Sequence, residues 1–203
     1  MIIFTPINLP IVKPDSWDIF WNIWNKHSRI LVKEKINTKT TPALVGTKNV
    51  WIGLDIFKKF DIPLVYSAPY FDIKDSLPNL FESLNNLCTN LHTIRLVQSI
   101  TDFVAHTDDD LDKWSLRAFF HGENVSEQWY FTKPYDRNGQ RYYIEMPNDT
   151  NWFMYNDKYC WHGTDFDSTR KKIILQVFCF GSPNVDYLTS SIEKYKLYTI
   201  KFL

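Results

Sequence analysis

Cysteine is sparse in this 203-residue chain: three residues, Cys88, Cys160 and Cys179, an odd number with no CxxC spacing. That rules against a disulfide framework or a zinc ribbon and points to a reducing, intracellular compartment. Net charge is missing as well. Lys plus Arg equals Asp plus Glu at 23 each, so no global field draws the chain to nucleic acid or an anionic membrane. The local cluster Lys33, Lys35 and Lys39 reads as solvated surface. No apolar run approaches the ~18 residues that span a bilayer. The start, MIIFTPINLPIV, lacks a basic n-region and carries Pro6 and Pro10, unlike a signal peptide. The expectation is a cytoplasmic protein with no membrane and no nucleic-acid partner.

Apolar and aromatic residues are plentiful, 44% and 17% of the chain, enough for one domain with a sizeable core. In DSWDIFWNIWNKHS (15–28), Trp17, Phe20, Trp21 and Trp24 recur at helical spacing behind Asp15 or Ser16 as N-cap. VWIGLDIFKKF (50–60) reads as a short strand followed by a helical turn or two. SLPNLFESLNNLCTNL (76–91) reads as a helix capped by Ser76, with Pro78 in its first turn and a leucine stripe.

After residue 92 the apolar period changes from helical to two. Strands are expected at 93–106, 114–120, 127–133, 140–146, 151–157, 158–163 and 171–181, separated by HGEN, DRNG, PNDT and SPN turns. Many short strands without intervening helices imply an antiparallel sandwich or barrel. The fold class expected is mainly β (α+β): a β-sandwich at 93–181, which the family resemblance below makes a jelly-roll core, braced by a helical and mixed region at 1–92 and followed by an extension at 182–203, all one domain.

Histidine is scarce, five in all, so each can be weighed. VAHTDDD (104–110) sets His106 two residues before Asp108 at the end of an expected strand. With 17 aspartates in the chain, one such pair is unsurprising alone. Order and spacing add the specificity: His162 ends a late strand, and Arg170 opens the strand after it. Two imidazoles and a carboxylate on one face of a non-haem iron leave three positions open for a chelating cosubstrate and O2. A guanidinium grips a carboxylate by two parallel hydrogen bonds. Asp109 and Asp110 compete with Asp108 as ligand, and Lys171 and Lys172 compete with Arg170. His121-Gly-Glu123 is a rival His-x-carboxylate pair, but its glycine and asparagine suit a hairpin turn.

Over residues 93–181 the order HxD, His, Arg resembles the Fe(II)- and 2-oxoglutarate-dependent dioxygenases of double-stranded β-helix (cupin-like) fold, and within them the aspartyl/asparaginyl β-hydroxylase-like branch. The resemblance implies His106, Asp108 and His162 as iron ligands and Arg170 on the distal carboxylate of 2-oxoglutarate. Arg117 in WSLRAFF matches an arginine that helps to bind the cosubstrate. It implies hydroxylation of a small molecule or peptide, an amino acid free or in a chain, with release of succinate and CO2. Weaker candidates for contact with that substrate are Trp114, Arg137 and Arg141. Aromatics at Trp129, Tyr130, Tyr142, Tyr143, Trp152 and Trp161 would shape the mouth, about half of them pointing inward by alternation. The alternative is a non-catalytic jelly-roll binding module or degenerate oxygenase; a cupin using the same ligands without 2-oxoglutarate is a third.

Overall fold

The computed structural model describes residues 1–33, 49–59, 64–87, 91–99, 103–107, 114–120, 127–133, 136, 138–156, 161–166, 173–179 and 185–202. Among these, the N-terminal part forms β1 (Ile2–Pro6), α1 (Trp17–His27), β2 (Arg29–Lys33), β3 (Asn49–Lys59), β4 (Leu64–Tyr66), α2 (Ala68–Ser76) and α3 (Pro78–Leu87). There follow β5 (Leu91–Ser99), β6 (Phe103–His106), β7 (Trp114–Phe120), β8 (Glu127–Phe131), β9 (Tyr142–Tyr143), β10 (Trp152–Asn156), β11 (His162–Phe166) and β12 (Ile173–Cys179). The chain continues into α4 (Val185–Lys194) and β13 (Ile200–Lys201).

From β5 to β12 the chain passes back and forth between two facing sheets. β10, β7, β12 and β5 lie side by side in the large one, and β6, β11, β8 and β9 make the small one. Eight antiparallel strands so connected form a double-stranded β-helix, or jelly roll. The N-terminal part widens the large sheet: β3, β2 and β4 continue beyond β5, while β1 and β13 continue beyond β10. No helix among the described residues is long and apolar enough to cross a membrane.

The large sheet is covered on its outer face by α1, α2 and α3. Alternation sorts its side chains: Leu116, Ala118 and Phe120 of β7, Trp152 and Met154 of β10, and Leu175 and Val177 of β12 pack with Phe20, Trp24, Leu80 and Leu84 of the helices. Phe20 meets Phe120 edge-on at 5.1 Å. The other faces of the same strands send Phe119, Phe153 and Tyr155 inward against Trp129 and Phe131 of β8.

The helices begin where the sequence indicates, with one rearrangement. The Ser16 hydroxyl accepts from the Ile19 amide and caps α1. Asp15 instead reaches α3, its carboxylate accepting from the amides of Asn79 and Leu80, each at 3.1 Å. The expected helix at 76–91 is therefore two: Ser76 ends α2, Leu77 is the joint, and Pro78 opens α3. Asn151, 6% exposed, pins the segment before α1. Its Oδ1 accepts from the Val12 amide at 3.1 Å, and its Nδ2 donates to the carbonyls of Val12 and Phe119 at 2.8 and 2.9 Å.

Several strand expectations are corrected. The stretch 93–106 is not one strand but two, β5 in the large sheet and β6 in the small one. Residues 50–60 form no helical turn over the described positions; β3 runs through to Lys59, held by β5 on one side and by β2 and β4 on the other. His162 begins its strand rather than ending it, and within 140–146 only Tyr142–Tyr143 are paired as strand.

Candidate metal and cosubstrate site

His106 is the last residue of β6 and His162 the first of β11, and their Cα atoms are direct antiparallel partners. The jelly roll accounts for this: one strand leaves the barrel mouth where the other enters it, so residues far apart in sequence share a rung. The two imidazole rings lie 4.4 Å apart between centroids, inclined at 50°. His162 is 1% exposed, while His106 is half-buried.

The spacing can be set against the group that the donor set suggests. Two imidazoles bound at right angles to one first-row ion, with N–metal bonds of ~2.1 Å, hold their ring centroids ~4.5 Å apart. The observed 4.4 Å fits. Among the described residues, no group of three His, Cys, Asp or Glu side chains is gathered as a complete ligand set. Asp108, the carboxylate suggested by sequence, lies outside the described residues, as do Arg170 and Arg137.

An aromatic layer surrounds His162. The indole of Trp129 lies parallel to its ring, within 3°, at 5.7 Å. The Tyr155 ring is 4.7 Å away, and its hydroxyl is 3.5 Å from Nε2 of His162. Next comes Arg117, only 5% exposed. Its guanidinium carbon sits 5.1 Å from the Trp129 ring and 4.8 Å from that of Tyr155, and its Nε donates to the Ser115 hydroxyl at 3.4 Å. A guanidinium stays charged under all ordinary conditions, so this half of the barrel carries a permanent cation lined by aromatic faces.

Two further polar groups point to the same region. Trp129 and Thr164 are Cα partners across β8 and β11. Trp129 Nε1 and Thr164 Oγ1 are both buried without a hydrogen-bond partner among the described residues. A buried donor or acceptor without a partner costs about 1–3 kcal/mol.

The remaining sequence candidates sit elsewhere. Arg141 lies over the outward ring of Tyr130 at 4.4 Å and donates to both oxygens of Asp165, at 2.7 and 2.9 Å. Tyr143 also donates to Asp165, at 2.7 Å. Burial raises the Tyr130 phenol above its ordinary pKa, with nearby Arg141 opposing. This cluster occupies the outer face of the small sheet, away from the histidines. Trp114 opens β7 opposite Asn156. Of the aromatics expected at the mouth, Trp129 is inward, Trp152 faces the helices with Nε1 donating to the Pro10 carbonyl at 2.9 Å, and Tyr142 packs on Phe202.

Tyr155 and Thr164 carry no motif and were not singled out by sequence. A signal for Thr164 existed: with His162 inward, period two puts residue 164 on the same face. Tyr155 required the register of β10 against β7.

No protein-family model matches the chain, and no curated protein matches it. Among solved structures the likenesses are remote. An oxidoreductase of the 2OG-Fe(II) oxygenase family from Burkholderia pseudomallei is 6% identical at TM-score 0.46, over 81% of this chain and 79% of that one. A Pseudomonas putida prolyl-4-hydroxylase is 9% identical at TM-score 0.40, over 88% and 92%. YcfD, a ribosomal oxygenase from Escherichia coli, is 12% identical at TM-score 0.34, over 95% and 57%. The fold assignment rests on the strand pairings and not on these likenesses.

Proposed function

We propose that the chain is an Fe(II)- and 2-oxoglutarate-dependent dioxygenase that hydroxylates an amino acid, free or in a peptide, or a similar small molecule. The observation that carries this reading is the rung shared by His106 and His162, with rings 4.4 Å apart at the barrel mouth. His106, His162 and Asp108 would hold the iron. The resemblance offers two guanidiniums, Arg170 and Arg117, for the cosubstrate's carboxylates.

Bound there, iron would supply, with 2-oxoglutarate and O2, the oxidising power to hydroxylate a C–H bond, with succinate and CO2 as co-products. The protein positions and shields. Trp129 and Tyr155 fix the plane and surroundings of the buried His162 imidazole, and the Tyr155 hydroxyl at 3.5 Å can set the tautomer of that ring. Phe119, Phe153 and Phe131 behind them keep water out of the barrel interior.

Anaerobic addition of Fe(II) and 2-oxoglutarate should produce a weak visible charge-transfer band, and succinate should form in air with a suitable amino acid or peptide. His106→Ala should abolish both. Absence of the band together with no succinate over a screen of amino acids and short peptides points to a non-catalytic binding module. Succinate release equal to the parent's in His106→Ala contradicts the site assignment.

A further inference from the structure

We infer that Arg95, held by Asp55 and flanked by Arg29, anchors a carboxylate of the substrate, an assignment that rests on the dioxygenase reading above. One rung of the large sheet joins Asp55 of β3, Arg95 of β5, Gln176 of β12 and Arg117 of β7. Ile94 and Leu96, on either side of Arg95, pack with the helices on the outer face, so by alternation Arg95 shares the inner face with Arg117. Two steps between strands separate the two backbones, ~10 Å. β8 faces β10 and β7 through Trp129, Phe131, Phe119 and Phe153. That puts β6, which carries His106 at the far edge of the small sheet, on the side of β5. β3 and β2 therefore extend the inner face past β6 as a shelf, with no small-sheet strand beyond it among the described residues.

The Asp55 carboxylate is shared on this shelf. Its Oδ1 accepts from Nε of Arg95, and its Oδ2 accepts from Nη2 of Arg29 at 2.6 Å. Two guanidiniums against one carboxylate leave one positive charge. The Arg95 side chain is 31% exposed and that of Arg29 65%, so Arg95 is the less hydrated and the better placed to hold an anion. With Nε engaged by Asp55, its two Nη atoms make no hydrogen bond among the described residues. They form the end-on fork that grips a carboxylate by two parallel bonds. A residual charge of one suits a single carboxylate better than a doubly charged phosphate. A free amino acid carries that group on its α-carbon, and a peptide carries it on an acidic side chain.

The test is calorimetric binding to the full-length chain, loaded anaerobically with Fe(II) and 2-oxoglutarate. The probes are free amino acids with uncharged side chains, their α-carboxamides, and end-capped tripeptides with a central aspartate, glutamate, asparagine or glutamine. In at least one series the parent should bind the acid about tenfold or more tighter than its amide counterpart, as loss of hydrogen bonds to a charged group implies. A preference among the free amino acids makes the α-carboxylate the anchored group; one among the capped peptides makes it a side-chain carboxylate. Arg95→Gln should remove the preference, and Arg29→Gln should reduce it by less, its charge being more screened by solvent. The preference is a ratio within one folded variant, so a purely structural loss does not move it. Amides bound as tightly as acids, a parental preference in Arg95→Gln, or no binding in either series overturns the anchor. If the loaded parent then still shows its charge-transfer band, the dioxygenase reading stands; without the band, both fall.

Discussion

The indole of Trp129 and the imidazole of His162 lie within 3° of parallel, with centroids 5.7 Å apart, inside the barrel of a jelly roll. Trp129 is one of eight tryptophans, and its position against a candidate metal ligand makes it a natural reporter.

Anaerobic titration with Fe(II) should therefore quench part of the tryptophan emission, since a bound transition ion lies within close range of the indole. Trp129→Phe should remove most of the quenched component. Quenching of equal size in the variant would place the ion elsewhere.

The clasp made by Asn151 gives a stability test independent of the site. Asn151→Ala removes three hydrogen bonds from a buried position and leaves the Val12 amide unsatisfied. The loss should be about 2–4 kcal/mol, read by denaturant unfolding. A loss below about 0.5 kcal/mol would mean that the segment before α1 is not held this way.

The surface pairing of α1 with α2 should be pH-dependent in one direction. His27, and then Lys26, hold the Asp72 carboxyl below its ordinary 3.8. Because the folded value is depressed, the stabilisation is present above that ordinary value and is lost as pH falls through the folded one. Asp72→Asn should destabilise by less than about 1 kcal/mol near pH 6, given its partial exposure, and the gap from the parent should close near pH 2. Melting curves at the two pH values decide it; a gap of unchanged size at low pH contradicts the assignment.

Much of this was legible in the residues, for local reasons. Trp17, Phe20 and Trp24 recur at helical spacing because α1 lies on a sheet, and Phe20 and Trp24 are buried there as expected. His106 and His162 came together because a jelly roll returns distant strand ends to one mouth. The break between β5 and β6 was hidden because alternation continues through both, although each serves a different sheet. β3 extends beyond the short strand its residues suggest because Lys58 and Lys59 end a run whose strand character comes from neighbours on both sides. The inward set of Tyr155, Trp129 and Arg117 depends on register between strands, which single-strand periodicity does not carry.

The most direct measurement is the stoichiometry of Fe(II) in anaerobic equilibrium dialysis of the parent, His106→Ala and His162→Ala. One ion per chain in the parent, lost in both variants while their circular dichroism stays that of a folded chain, is the result expected. An ion retained at parental affinity in either folded variant would contradict the shared-ion geometry of the two imidazoles.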